Sequence, residues 1–281
     1  MTELRVAVAL LLLSANATAQ DLWTVDRRPQ RAVVRDEPTK EIETQAEATK
    51  SRGADPAFAH VIDPGLPAPM HAVASMGAAY ASTDAATRPL AADVRRGGWV
   101  NDLGLGLALH ERIGVEAALL VAPPRAGDDA PRWAGRGGAR FVISDSDLRL
   151  SAIGGYVRDF TNESGPFADL TATWDLGKLR LGSMLHGEKM LAAGRDSVDV
   201  IGALGASYRV VDPLRLGAEY VGQDFEDAWE DEEAEGGARH FAGATIAVAF
   251  RDNLRLVGGP AVGLTEASPR LLGRASLSYV F

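Results

Sequence analysis

Polar and apolar residues alternate along most of the chain after residue 70, and this period of two predicts β-strands. The alternation is clearest between Asp102 and His110, where one face carries Leu103, Leu105, Leu107 and Leu109. Residues 169–176 and 214–221 repeat the pattern, with apolar residues on one face and mainly charged or small residues on the other. A strand with a single apolar face lies half in contact with an apolar medium.

Twelve such segments can be counted between residues 70 and 281. Most are about ten residues long, the length that a tilted strand needs to cross the hydrocarbon of a membrane. The predicted strands cover residues 70–82, 99–110, 113–122, 137–144, 147–159, 165–176, 178–187, 197–210, 214–224, 239–250, 254–265 and 270–281.

The connections between these segments alternate between short and long. The short ones have two or three residues, at 110–112, 145–146, 177–178, 211–213 and 251–253, and the longest cover 83–98, 123–136, 188–196 and 225–238. Barrels that cross a membrane with antiparallel strands have tight turns on the periplasmic side and longer loops outside. An even number of strands then brings both ends of the domain to the short-turn side.

Four of the strands that follow a short turn open with Leu-Arg-Leu. If the leucines contact lipid, the arginines between them point into the interior at the periplasmic end; they are Arg149, Arg180, Arg215 and Arg255. Gly177-Lys178 fits a two-residue type II′ turn, which requires glycine in first position. That turn pairs Asp175 with Arg180 and Asp169 with His186, so opposite charges face each other on the inward side.

Aromatic residues fall mostly near the ends of the predicted strands, as in the girdles that meet lipid headgroups. They are Tyr80, Trp99, Tyr156 and Phe241 at the outer side and Trp174, Tyr208, Phe250, Tyr279 and Phe281 at the inner side. A soluble two-sheet sandwich also alternates and forms hairpins, but it would need larger apolar residues on its faces.

The last seven residues read Ala-Ser-Leu-Ser-Tyr-Val-Phe, from Ala275 to Phe281. In this ending the chain resembles bacterial outer-membrane β-barrel proteins, whose final strand typically carries a terminal Phe preceded by aromatic or apolar residues at alternate positions. The resemblance implies an all-β, antiparallel transmembrane barrel over residues 70–281. It also implies that Tyr279 and Phe281 form the signal recognised by the barrel-assembly machinery, and that outer-membrane lipids surround the barrel.

The N-terminal part differs from the barrel. An apolar run from Val6 to Leu13, followed by Ala17-Thr18-Ala19, predicts a cleaved signal peptide at 1–19 and therefore export to the cell outer membrane. Residues 20–69 are rich in Arg, Glu, Thr and Pro and show no lasting periodicity, which predicts a flexible periplasmic leader. A plug inside the barrel is the alternative for this segment.

Composition removes several functional classes. The formal net charge of −9 leaves no basic surface for nucleic acid. The absence of cysteine excludes disulfides, thiol catalysis and thiolate metal sites. No nucleotide-binding glycine loop occurs, so no cofactor is predicted. The acidic stretch at 226–235 matches no calcium-loop motif, and we interpret it as a solvated loop rather than a metal site.

The histidines give little support for an enzyme. A lipid-cleaving pair of His and Ser two residues apart on one strand is absent, and His71 and Ser75 would lie about 13 Å apart at the usual strand rise. That distance excludes direct proton transfer. His186 beside Asp169 lacks a serine on the same face nearby, so no catalytic residue is predicted.

The predicted lumen therefore contains the four arginines together with Asp169, Asp175, His186 and Glu219. Two interpretations remain open: a charged lining that selects solutes in a narrow pore, and a salt-bridge network that fills a closed barrel. We predict a narrow pore for small polar solutes. The alternatives are a closed structural or surface-binding barrel without transport and, after it, a membrane enzyme that modifies lipids.

Overall fold

The computed structural model describes residues 56–82, 98–124, 130–192, 198–223, 239–266 and 268–281, and the statements below refer to these residues. All of them lie within one compact unit, Ala48–Phe281. None of the described segments is a helix long and apolar enough to span a membrane. The predicted signal peptide, residues 20–55 of the predicted leader and the acidic stretch 226–235 lie outside the described residues.

Twelve antiparallel strands form one closed barrel, in which each strand pairs with its chain neighbours and β1 pairs with β12. The fold predicted from the alternation is therefore confirmed. The strands are β1 Ala72–Ala81, β2 Gly98–His110, β3 Ile113–Ala122, β4 Arg132–Asp145, β5 Leu148–Arg158, β6 Ser164–Leu176, β7 Leu179–Glu188, β8 Asp199–Val211, β9 Leu214–Gln223, β10 Arg239–Arg251, β11 Leu254–Gly263 and β12 Leu271–Val280.

The alternating pattern separates the two faces of the wall. On β2, Leu103 and Leu105 are 52% and 56% exposed, whereas the intervening face carries the fully buried Ala108. On β6, Leu170 and Trp174 are exposed and Thr171 is buried. Since the apolar side chains point outward, the sheet presents its leucines to the membrane and its polar residues to the lumen.

The turns follow the predicted asymmetry, with β-bulges next to four of the five short ones. Register shifts precede the turns after β2, β4, β8 and β10. The β6–β7 hairpin has no shift, and its register pairs Asp175 with Arg180 and Asp169 with His186 as predicted. Gly177 has a φ of 65°, the positive value that the first residue of a type II′ turn needs.

Two details differ from the sequence prediction. β4 begins at Arg132 rather than at 137, because Trp133 faces outward beneath the Arg158 guanidinium, 4.0 Å from the ring centroid, and Ala134 faces inward. The glycines that follow had concealed this alternation. Phe241 does not belong to an aromatic girdle, because the register of β10 points it into the lumen, where it is 1% exposed.

The buried apolar core lies inside the barrel and concentrates where the strands meet the long connections. Its members there come from the starts or ends of nine strands and include Ala81, Val100, Leu120, Ala134, Ile201, Val221, Phe241, Ala261 and Leu272. We call these residues the apolar layer. The short-turn end of the same lumen instead holds buried arginines.

Candidate functional site in the barrel lumen

The segment of residues 56–67 lies inside the barrel, and we call it the lumenal segment. The Phe58 ring is 5% exposed and lies against Gly182 on β7 and Gly205 on β8, so closely that a Cβ on either glycine would come within 2.6 Å of it. Leu66, at the other end of the segment, lies against Gly114 on β3. The segment therefore contacts separate parts of the wall, with inward glycines leaving room for its side chains.

The carboxylate of Glu219 holds the backbone of this segment. It accepts hydrogen bonds from the N–H groups of Ala59, His60 and Val61 at 2.8, 2.9 and 3.1 Å. The Thr245 hydroxyl donates a fourth bond at 2.6 Å. A buried carboxylate with four donors has its oxygens satisfied, and three otherwise unpaired backbone groups gain an acceptor.

The His60 side chain is buried beside this carboxylate. Removal from water lowers the pKa of His60 to about 4; the nearby Glu219 opposes that shift and Arg274 adds to it. His60 is therefore neutral near pH 7 while the lumenal segment is docked.

Charged side chains fill the inward face from β3 to β9, which we call the charged wall. Arg136 joins Glu116 and Asp169, each at 3.2 Å, and Arg140 binds Glu116 at 2.7 Å. Arg140 also donates to the carbonyl oxygen of Asp63 in the lumenal segment. The ion pairs thus connect neighbouring strands and tie the segment to the wall.

His186 lies between two carboxylates on this wall. Its Nδ1 contacts Asp169, which is 2% exposed, and its Nε2 lies 3.2 Å from Glu188. The His186 ring stacks on the Phe167 ring, with the centroids 6.0 Å apart. The Arg136 guanidinium also lies over the Phe167 ring, 5.1 Å from its centroid. Because both ring nitrogens face carboxylates, neither is directed at a hydroxyl nucleophile within the described chain.

The arginines of the Leu-Arg-Leu repeats all lie on the inward face at the short-turn end. Arg149, Arg180 and Arg215 are about 5% exposed, and Arg255 is half-buried. Asp175 accepts from Arg180 at 2.5 Å and from Arg149 at 3.3 Å. Arg149 also reaches Asp63 at 3.4 Å.

The opposite part of the lumen, formed by β12, β1 and β2, carries small side chains. We call its inward residues the small-residue wall: Val73, Ser75, Gly77, Gly104, Gly106, Ser276 and Ser278. A cavity of about 270 Å³ lies between this wall and the lumenal segment and is also bordered by Arg136 and Arg140. One loose ion pair crosses it, Arg274 to Asp102 at 3.9 Å.

Tyr279 and Phe281 lie at the end of β12, exposed on the outer surface, with their rings stacked at a centroid distance of 5.9 Å. The Phe281 backbone pairs with Ala72 at the start of β1. The C-terminal residues therefore help to close the barrel. Their role as an assembly signal stays a prediction.

No protein-family model matches the sequence, and no curated protein is similar to it. Among solved structures, the chain is similar to the COG4313 outer membrane channel from Pseudomonas putida, with a TM-score of 0.53 and 12% identity over 81% of this chain and all of that one. The protein has the fold of bacterial outer-membrane β-barrels.

Other outer-membrane barrels match more weakly. The NanC porin gives a TM-score of 0.45 at 9% identity, covering 73% of this chain and 98% of that chain. OmpF from Salmonella typhi gives 0.38 at 8% identity, covering 79% and 99%.

Within this outer-membrane barrel the prediction of a flexible leader for 20–69 needs correction at its C-terminal end. Residues 56–67 contact the lumen wall through buried side chains and backbone hydrogen bonds, as the plug alternative for this segment requires. The signal in the sequence was the apolar content of Phe58, Val61, Ile62 and Leu66, which departs from the polar residues before it. Because residues 56–67 show no periodicity, the sequence did not indicate that they bind the inner wall of the barrel.

Proposed function

We propose that the protein is an outer-membrane channel that passes small polar solutes along a narrow path beside the lumenal segment. The cavity along the small-residue wall carries this proposal. Serine hydroxyls and glycine backbone line one side of it, and Arg136 and Arg140 border the other. Hydroxyl and guanidinium groups can replace the water around a polar solute, which is what a permeation path requires.

The size of the path limits the solute. A single water needs about 10–15 Å³ of such space, so a cavity of about 270 Å³ has room for a hydrated ion or a molecule of a few heavy atoms. Arg140 is buried, Arg136 is partly buried, and both pair with Glu116, so the charged border is fixed rather than mobile. A fixed charged border favours selection by charge and size.

Export and insertion belong to the same proposal. The signal peptide at 1–19 would direct the chain out of the cytoplasm, and Tyr279 and Phe281 would present it to the barrel-assembly machinery. The outward leucines of β2 would then contact the acyl chains of outer-membrane lipids. Mass spectrometry of the membrane-inserted protein, expected to begin at Gln20, tests the cleavage.

Single-channel recording in planar bilayers tests the path. The wild-type protein should give small, discrete conductance steps. Ser276→Trp should remove most of the current, because the indole would fill the cavity, while Ser146→Trp, in the exposed β4–β5 turn, should leave it unchanged. Silent wild-type barrels, or unchanged current in the Ser276 variant, would contradict the proposal.

A closed structural barrel is the second candidate. The apolar layer favours it, because nine strands contribute inward apolar residues at the long-connection end, and an apolar constriction can exclude water. The same recordings separate the two candidates, since a closed barrel conducts in neither variant. A lipid-modifying enzyme finds less support, because both nitrogens of His186 are directed at carboxylates.

A further inference from the structure

Arg215 differs from the other two buried arginines at the short-turn end of the lumen. Arg149 and Arg180 share the carboxylate of Asp175. Arg215 is 6% exposed, and neither of its terminal nitrogens, Nη1 and Nη2, has a hydrogen-bond partner within the described chain. Leaving two buried guanidinium nitrogens without an acceptor is strongly unfavourable, so their occurrence indicates a missing anionic partner.

Further donors without a partner in the described chain lie on β5, β6 and β8, near the same end of the barrel. The hydroxyls of Ser207 and Thr173 and the Nε of Arg149 are buried without a partner. Ser207 on β8 lies directly opposite Arg180 on β7 and Gly217 on β9, the second residue after Arg215. Thr173 lies directly opposite Arg149. Several unused donors are therefore gathered on β5 to β9.

The lumenal segment bounds this cluster on one side. Gly182 and Gly205, which hold the Phe58 ring, are each two residues from a cluster member on the same face, Arg180 and Ser207. Asp175 retains 29% of its side-chain exposure, so solvent reaches the cluster. Phe58 therefore lies beside the cluster, one inward position along β7 and β8 from Arg180 and Ser207.

Arg149 and Arg180 both donate to Asp175, and Arg149 also reaches Asp63 at 3.4 Å, whereas neither terminal nitrogen of Arg215 bonds to a carboxylate of the described residues. A tetrahedral or planar oxyanion offers several acceptor oxygens, which match guanidinium forks and hydroxyl donors. We infer that Arg215, together with Arg180, Ser207, Arg149 and Thr173, binds the phosphate or carboxylate group of a small anion.

This anion site goes beyond the proposed channel and does not depend on conduction. Binding can be measured on barrels that carry no current, and channels can conduct without binding an anion here. The result of the binding experiment therefore does not decide the channel proposal, and the conductance experiment does not decide the anion site.

The test uses the full mature chain, refolded in zwitterionic detergent, with inorganic phosphate as the probe. Calorimetric titration at constant ionic strength, with chloride as the exchanged anion, should give saturable binding near one phosphate per barrel. Phosphate should also raise the thermal unfolding midpoint more than chloride does, because a ligand that binds the folded state stabilises it. Equal effects of phosphate and chloride would overturn the inference.

Variants locate the site. Arg215→Gln should weaken phosphate binding about 10- to 100-fold, the loss expected for a charge-assisted hydrogen bond. Arg112→Gln is the matched control, since Arg112 lies exposed in the β2–β3 turn at the same end of the barrel, and its affinity should equal that of the wild type. Unchanged binding in the Arg215 variant would overturn the inference.

Ser207→Ala provides a second variant if Arg215→Gln does not fold. Loss of one neutral donor should weaken binding a few-fold, within a barrel whose backbone pairing is untouched. Adding a short-chain phosphatidic acid distinguishes the two sources of a phosphate group. Competition with inorganic phosphate would identify a lipid headgroup as a ligand, and its absence would identify a free solute. Binding unaffected in the Ser207 variant, with Arg215→Gln unfolded, would contradict the site.

Discussion

The charged wall and the small-residue wall enclose one lumen, but they use their inward positions differently. From β3 to β7, buried and partly buried arginines and carboxylates form ion pairs that cross from strand to strand and reach the lumenal segment. From β12 to β2, serine and glycine leave a cavity, and among the described residues the ion pair at its border is the long one between Arg274 and Asp102, at 3.9 Å. Both walls have the same alternation, so the size and charge of the inward residue decide whether the barrel is filled or open.

Glu219→Ala should have the largest effect, because it releases the segment from the charged wall. Three backbone N–H groups and the Thr245 hydroxyl would lose their acceptor, at a cost of about 4 kcal/mol to docking. We expect a several-fold rise in single-channel conductance and faster proteolysis within residues 56–67. Glu111→Ala, in an exposed turn, is the control. Equal protection of the segment in both variants would argue against Glu219 as its anchor.

Arg136→Gln should have the second largest effect, because it removes the ion pairs at the centre of the charged wall. Among the described residues, the change leaves Asp169 paired with His186 and Glu116 paired with Arg140. Removing one partner of a buried ion pair costs about 3–4 kcal/mol. Denaturant unfolding in lipid vesicles, followed by tryptophan fluorescence, should show that loss. A change in the free energy of unfolding below about 1 kcal/mol would mean that the ion pairs contribute little and that the backbone pairing of the sheet stabilises the wall.

Acidification should weaken docking through His60. Its pKa in the docked segment is lowered to about 4, whereas a released segment would take up a proton near pH 6.5. The docked form is therefore stabilised above pH 6.5, and this contribution of about 3 kcal/mol is lost as the pH falls towards 4.

Conductance of the wild type should therefore rise between pH 6.5 and pH 4. Glu219 and Arg274 are the charged groups that act on His60. His60→Asn should remove the part of the rise that begins near pH 6.5. An identical pH profile in that variant would contradict the role of His60.

Arg274→Gln should have the smallest effect and serves as the counterpart of Arg136→Gln. Its contact with Asp102 is long, and its side chain is 21% exposed. Pairs of this kind contribute under about 1 kcal/mol. Unfolding measured as for Arg136 should show that difference. A loss of unfolding free energy as large as that of Arg136→Gln would contradict the difference between the two walls.

Much of the wall could be predicted from the sequence, because each strand carries its own period of two. The β6–β7 register followed from one glycine turn, and the inward position of Arg215 followed from Leu214 and Leu216. Each of these inferences uses only residues that are close in the chain.

The contents of the lumen could not be predicted in the same way. The contacts of Phe58 with Gly182 and Gly205 join residues far apart in sequence, and no local pattern encodes them. The choice between a selective lining and a salt-bridge network also depended on which arginines found partners. Arg180 and Arg149 pair with Asp175, while the terminal nitrogens of Arg215 have no acceptor in the part of the chain that the structure describes.

The lumenal segment lies far in sequence from Glu219, the residue that holds it, and this sequence separation affects the order of folding. Ala59, His60 and Val61 bind a carboxylate that follows them by 160, 159 and 158 residues. Contacts of such long range form late, because the intervening loop must first lose its entropy. The first part of this domain to be synthesised is thus among the last to find its place, and an incompletely folded barrel is transiently unoccupied at its centre.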